Sequence, residues 1–91
     1  MDRVWAVIRT DQKITNSCDL HCAAQFWRHK ETLSAILETL CQRLEISHPV
    51  WLSKHTREMD RFGRTDFREE DFMESIFFDA LELEFISEKT K

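Results

Sequence analysis

From Ile14 to Phe26 the chain alternates. One set of positions reads Ile14, Asn16, Cys18, Leu20, Cys22, Ala24, Phe26, and the interleaved set reads Thr15, Ser17, Asp19, His21, Ala23, Gln25. This is the two-residue period of a strand with one buried face and one wet face. A second such pattern precedes it, with Val4, Ala6 and Ile8 alternating with Arg3, Trp5, Val7 and Arg9. The polar break Asp11-Gln12-Lys13 between them predicts an antiparallel hairpin. Its turn lacks glycine, which argues for a loop of three to five residues over a two-residue type I′ turn. The second strand is expected to end near Phe26-Trp27.

A different period follows. Leu33, Ile36, Leu37, Leu40, Cys41 and Leu44 fall on one stripe of a helix that covers the sheet. Thr32 or a residue just before it is the expected cap, and Pro49 disfavours helical geometry at His48, so the helix should stop around Ile46-Ser47. Pro49 is read as opening a short helical turn through Val50, Trp51 and Leu52. Gly63, the one glycine, should end a second short helix through Glu58 and Met59. Asp66 followed by Glu69 resembles a capping box, predicting a third short helix bearing Phe72, Met73 and Ile76. Leu81, Leu83 and Phe85 alternate with Glu82 and Glu84 as a terminal strand. The expectation is an α+β domain spanning residues 1–91, with a small antiparallel or mixed sheet in the order β-β-α, irregular helical segment, β. Its core should contain Val4, Ala6, Ile8, Ile14, Cys18, Leu20, Cys22, Leu33, Ile36, Leu37, Leu40, Leu44, Leu81, Leu83 and Phe85.

Composition bounds the function classes. A chain of 91 residues with 42% hydrophobic residues, one Gly and one Pro makes a single globular domain with little room for linkers. No segment approaches the ~20 apolar residues of a membrane span. Neither the N-terminus nor the three cysteines suggest secretion or a disulfide scaffold, so a cytoplasmic location with reduced thiols is expected. Charge is uneven: residues 69–91 carry eight acids against two lysines, a net of −6, whereas residues 1–68 carry a net of +2.

The one segment with the residue types of a reactive site is Cys18-x-x-His21-Cys22. On a helix these three would share a face and could ligate zinc, with Cys41, His29 or His48 as a fourth ligand. On the strand that the parity supports, the two sulfurs stand about 13 Å apart and the imidazole points the other way, so no metal is expected. Cys41 lies on the apolar stripe, where burial raises a thiol's pKa and suppresses nucleophilic chemistry. His48 and His55 flank a turn and read as solvated. A single Gly excludes glycine-rich phosphate loops. Glu69, Glu70, Asp71 and Glu74 read as the wet face of a helix start. No catalytic site and no cofactor are expected.

Two binding surfaces are legible. Trp5 and Val7 lie on the face of the first strand opposite Val4 and Ala6, and Val50 and Trp51 cannot both turn inward. These four form either a protein interface, most simply in a homo-oligomer, or the seat of a second covering layer made by residues 49–76. Lys54, Arg57, Arg61, Arg64 and Arg68 interleave with Phe62 and Phe67, the combination that phosphate neutralisation and base stacking need. Glu58, Asp60 and Asp66 among them favour a salt-bridged surface, leaving a nucleic-acid-binding adaptor as the rival reading. The acidic end could also imitate a nucleic acid, although its charges alternate with core residues as on an edge strand.

The stretch His48-Pro49-Val50-Trp51-Leu52, with His55, Glu58, Phe62, Arg64-Thr65-x-Phe67 and Phe78-Asp79-x-Leu81-Glu82-Leu83-Glu84, resembles short hypothetical proteins of anaerobic bacteria. Those carry a P-x-W-L segment and a terminal F-D-x-L-E-x-E strand. The resemblance covers about the last half of the chain and implies a small, cytosolic, single-domain bacterial protein. It brings no site residues with it. The expected function is that of a non-enzymatic interaction module.

Overall fold

A computed structural model describes residues 2–87. It is an α+β fold built on one four-stranded antiparallel sheet. The strands are β1 (Asp2–Thr10), β2 (Lys13–Cys22), β3 (Arg64–Phe67) and β4 (Ala80–Ile86), in the spatial order β2-β1-β4-β3. Two helices, α1 (Lys30–Leu44) and α2 (Ser53–Phe62), and two 3-10 turns, Phe26–Arg28 and Glu69–Asp71, complete the chain. None of the described helices is long and apolar enough to cross a membrane.

Register explains which face is covered. Val4 pairs with Leu20 and Phe85, Ala6 with Cys18 and Leu83, and Ile8 with Leu81, while Phe67 stands opposite Leu81 on β3. These side chains form one inner face, and Ile36, Leu37, Leu40 and Leu44 of α1 pack on it together with Met59 of α2. Segment 49–76 adds Phe67 and Phe72 to this same core. It therefore shares the covered face with α1 and forms no second layer, and the other face of the sheet stays open.

Most of the expected core is buried or packed against it. Ile14 is the exception, at 50% exposure. A bulge shifts the register between Ile8 and Arg9, so that Asn16 pairs with Ile8 but Ile14 pairs with Arg9. The extra residue, Thr15, moves Ile14 to the open face. The alternation also overstated β2, which ends at Cys22. Phe26 and Trp27 instead enter a 3-10 turn behind Gln25, whose φ is 54°. Both rings are buried, with Trp27 edge-on to Phe26 at 5.2 Å and to Phe85 at 5.3 Å. The Trp27 indole N–H donates to Asp60 Oδ1 at 2.8 Å, and Arg28 pairs with the same carboxylate, tying this turn to α2.

Turns and caps depart from the expected chemistry in an instructive way. The hairpin loop is the two-residue Asp11-Gln12, with φ of 53° and 66°, the left-handed pair of a type I′ turn. Asp79 holds it without glycine: its Oδ2 accepts the Asp11 N–H at 2.8 Å, and its own N–H donates to Arg9 O at 2.8 Å. Helix α1 starts at Lys30, two residues before Thr32, and stops at Glu45 (φ 58°). The Glu45 N–H bonds Gln42 O and the Ile46 N–H bonds Cys41 O, the paired bonds of a Schellman ending. Gly63 (φ 72°) ends α2 as its sequence position predicts, and its carbonyl accepts the Phe85 N–H at 2.7 Å. Pro49 opens no helical turn, being extended in a bridge to Phe72. Asp66 caps no third helix. It lies in β3, and beyond Asp71 the chain to Asp79 is irregular. Strand β4 is interior, flanked by β1 and β3, so its alternating acids are not those of an edge.

The hairpin gives a direct test. Gln12→Gly should raise stability by about 0.5–1 kcal/mol in urea unfolding, because glycine adopts the left-handed conformation without a Cβ clash. Gln12→Val should lower it.

Candidate functional site

The three residues of Cys18-x-x-His21-Cys22 are not brought together. Cys18 and Cys22 lie on the inner face of β2 and exposed His21 on the open one. Among the described residues, no three His, Cys, Asp or Glu side chains converge to hold a metal ion. All three thiols are free. Burial pushes Cys22 up to about 11 and Cys41 likewise to about 11, aided by the charges of Asp2 and Cys18 respectively. Cys18 is also raised, by burial first, with Arg43 opposing and Asp19 adding. Thiols with such values are protonated and poorly nucleophilic at neutral pH.

The buried polar centre lies elsewhere, at His55 and Asp71. His55 is fully buried, not solvated: its ring stacks on Phe67 at 4.2 Å and leans on Trp51 at 5.7 Å. Its Nδ1 accepts the Leu52 N–H at 2.9 Å, so the imidazole proton resides on Nε2, which faces Asp71 Oδ2 at 3.8 Å. Asp71 mirrors this arrangement, with Oδ2 accepting the Arg68 N–H at 3.1 Å and Oδ1 near Lys54 Nζ at 3.4 Å. Each side chain thus reaches back three residues to close the start of its own helical segment, one half of a capping box. Burial depresses the His55 pKa; the charges of Asp71 and Glu58 and the Asp66 backbone oppose this, and Lys54 reinforces it. No solvent reaches the imidazole, so the pair is structural.

The open face is polar and internally paired. Arg9 bonds Glu82 at 2.8 Å and Arg3 bonds Asp19 at 3.0 Å. A groove of ≈ 460 Å³ runs along Trp5, Val7, Arg9, Arg64, Glu82 and Glu84. The sequence reading took Trp5 and Val7 as exposed contact residues, yet Val7 is only 3% exposed. It sits between Trp5 and Arg9 along β1 and between Ser17 and Glu82 across the sheet, and these longer side chains close over it. Trp5 is half-buried. Trp51 packs on the covered side of the sheet, 5.6 Å from Phe67, so the four expected interface residues form no single patch. Only Val50 of the four is exposed.

Exposed apolar surface lies instead at three positions that sequence reading passed over. Phe62 is 66% exposed, Met73 89% and Phe77 77%. No period marks them, because Phe62 ends its helix and Met73 and Phe77 sit in irregular chain. Their surroundings differ in sign. Of the five expected basic residues, Lys54 pairs with Asp71 and Arg68 with Asp66. Arg57, Arg61 and Arg64 make no ion pair among the described residues and flank Phe62. Phe67, the other aromatic of that patch, is fully buried. Met73 and Phe77 are bordered by Glu69, Glu70 and Glu74, likewise without ion pairs among the described residues.

Two outcomes follow from the buried groups. His55 is favoured neutral in the folded state and takes up a proton more readily when unfolded. Its contribution is therefore complete above about pH 6.5, the ordinary histidine pKa, and is lost as pH falls below it. Unfolding measured from pH 7 to 5 should show falling stability. His55→Gln, which keeps an acceptor for the Leu52 N–H but does not titrate, should show a flatter profile. Alkylation of the native thiols should be slower than that of free cysteine and become fast in denaturant. Set beside family models, curated proteins and solved structures, the chain matches none, so its function is argued from these side chains alone.

Proposed function

We propose that the chain is a non-enzymatic protein-interaction module that self-associates in the cytoplasm. The observation that carries this is the exposure of Phe62, Met73 and Phe77 on a small domain whose other large apolar groups are mostly covered. Burying such side chains in a contact is favourable by roughly 25 cal/mol per Å² of apolar surface. The basic surroundings of Phe62 and the acidic surroundings of Met73 and Phe77 supply attraction and orientation to the same contact.

Three considerations support the non-enzymatic part. The thiols are held protonated by burial, the one buried histidine is spent on a backbone N–H, and the groove on the open face is lined by side chains already paired with one another. Three free, inward-turned cysteines suit a reducing compartment. The cluster Arg57, Arg61 and Arg64 beside Phe62 favours a second reading, a nucleic-acid-binding adaptor. The acidic chain as a whole, with a net charge of −4, weighs against it.

Light scattering over a concentration series separates the two. Self-association predicts an average mass that rises above the monomer with concentration and falls as salt screens the opposed charges. A strict monomer retained on a DNA column with steep salt dependence would give the second reading instead.

A further inference from the structure

The two exposed apolar patches carry opposite charge and lie at opposite ends of β4. The basic patch adjoins the end of β4: Arg64 stands opposite Glu84, and the Gly63 carbonyl accepts the Phe85 N–H. The acidic patch adjoins its start, where Phe77 immediately precedes the Phe78-Asp79 pair that leads into Ala80. Roughly 15–20 Å of extended strand separates them. From this placement we infer that self-association joins unlike patches: the 69–77 loop of one copy, through Met73 and Phe77, docks on the Phe62, Arg57, Arg61 and Arg64 end of α2 in another.

The charge pattern decides against like meeting like. Two copies of the basic patch would bring three unpaired guanidinium groups against three more, and two acidic patches would oppose Glu69, Glu70 and Glu74 in the same way. Crossed pairing neutralises both. The neighbouring charges do not interfere, because Asp60 is engaged by Trp27 and Arg28, and Glu58 accepts the Thr65 hydroxyl. Buried Asp71 is held by the Arg68 N–H and Lys54 and takes no part. A contact between different surfaces leaves one free patch on each partner. It extends into a chain unless the geometry lets two molecules close on each other about a two-fold axis.

This inference rests on the self-association reading, and mixing experiments tell the two apart. The variants are R57E/R61E, which spoils the basic patch, and M73S/F77S, which spoils the acidic one. All four positions are exposed, so both variants should melt close to the wild type. Should M73S/F77S fail to fold, E70K/E74K replaces it. Each variant alone is expected to run as a monomer, and an equimolar mixture is expected to give a one-to-one dimer through the surviving pair of patches. A mixture that stays monomeric, or a variant that associates like the wild type, overturns the crossed contact while leaving self-association standing. A wild type that is monomeric at every concentration overturns both.

Discussion

The fold depends on a buried pair that does two jobs of the same kind. His55 closes the start of α2 through the Leu52 N–H, and Asp71 closes the second 3-10 turn through the Arg68 N–H. The two side chains then face each other at 3.8 Å, with Phe67 stacked on the imidazole. Helix α2 needs this anchor because it has little else. Only His55 and Met59 of its ten residues are buried, one turn apart. A helix with so narrow an apolar stripe is held by its ends and its tertiary contacts more than by propensity. Trp27 and Arg28 grip it from the other side through Asp60.

That anchoring determines what the rest of the surface looks like. Because segment 49–76 is drawn onto the face that α1 already covers, the opposite face of the sheet is left bare. The bare face is then made tolerable by pairing within itself. Arg9 with Glu82 and Arg3 with Asp19 lay charged side chains across the strands and bury Val7 beneath them. An open sheet face of this composition offers neither a large apolar patch nor a field of one sign. The unsatisfied surface is displaced to the two ends of β4, where short irregular segments cannot turn every large side chain inward. It is there that the chain has apolar groups and uncompensated charge together, the combination that an interface requires.

Much of the fold was readable because long elements with one buried face write a strong period. Val4, Ala6 and Ile8, the α1 stripe, and Leu81 with Leu83 all lie where their spacing puts them. What failed did so for local reasons. A single extra residue at Thr15 inverted Ile14, and periodicity has no means of registering a bulge. Phe26 carried the parity of β2 beyond the strand's end, since a ring buried by a 3-10 turn is apolar whichever element presents it. Glycine-free turns at Asp11-Gln12 and Glu45 concealed left-handed backbone that long-range partners make tolerable. Strand β3 was hidden by its brevity, with only Thr65 and Phe67 turned inward. Of the site residues, the basic cluster was visible as composition, but which of its members are free depends on Asp66 and Asp71 in three dimensions. The one available signal for the buried pair was spacing: an acceptor side chain three residues after a helix-starting position occurs at both His55 and Asp71.

The account makes the imidazole of His55 an acceptor of a backbone N–H, neutral and protonated on Nε2 in the folded protein. Long-range proton–nitrogen correlation spectra of the histidine rings at neutral pH measure this state directly. The account predicts one ring, assigned to His55, in the Nε2–H tautomer, with an unprotonated Nδ1 and no titration until the protein unfolds in acid. A His55 ring that is doubly protonated at neutral pH, or that carries its proton on Nδ1, would contradict it.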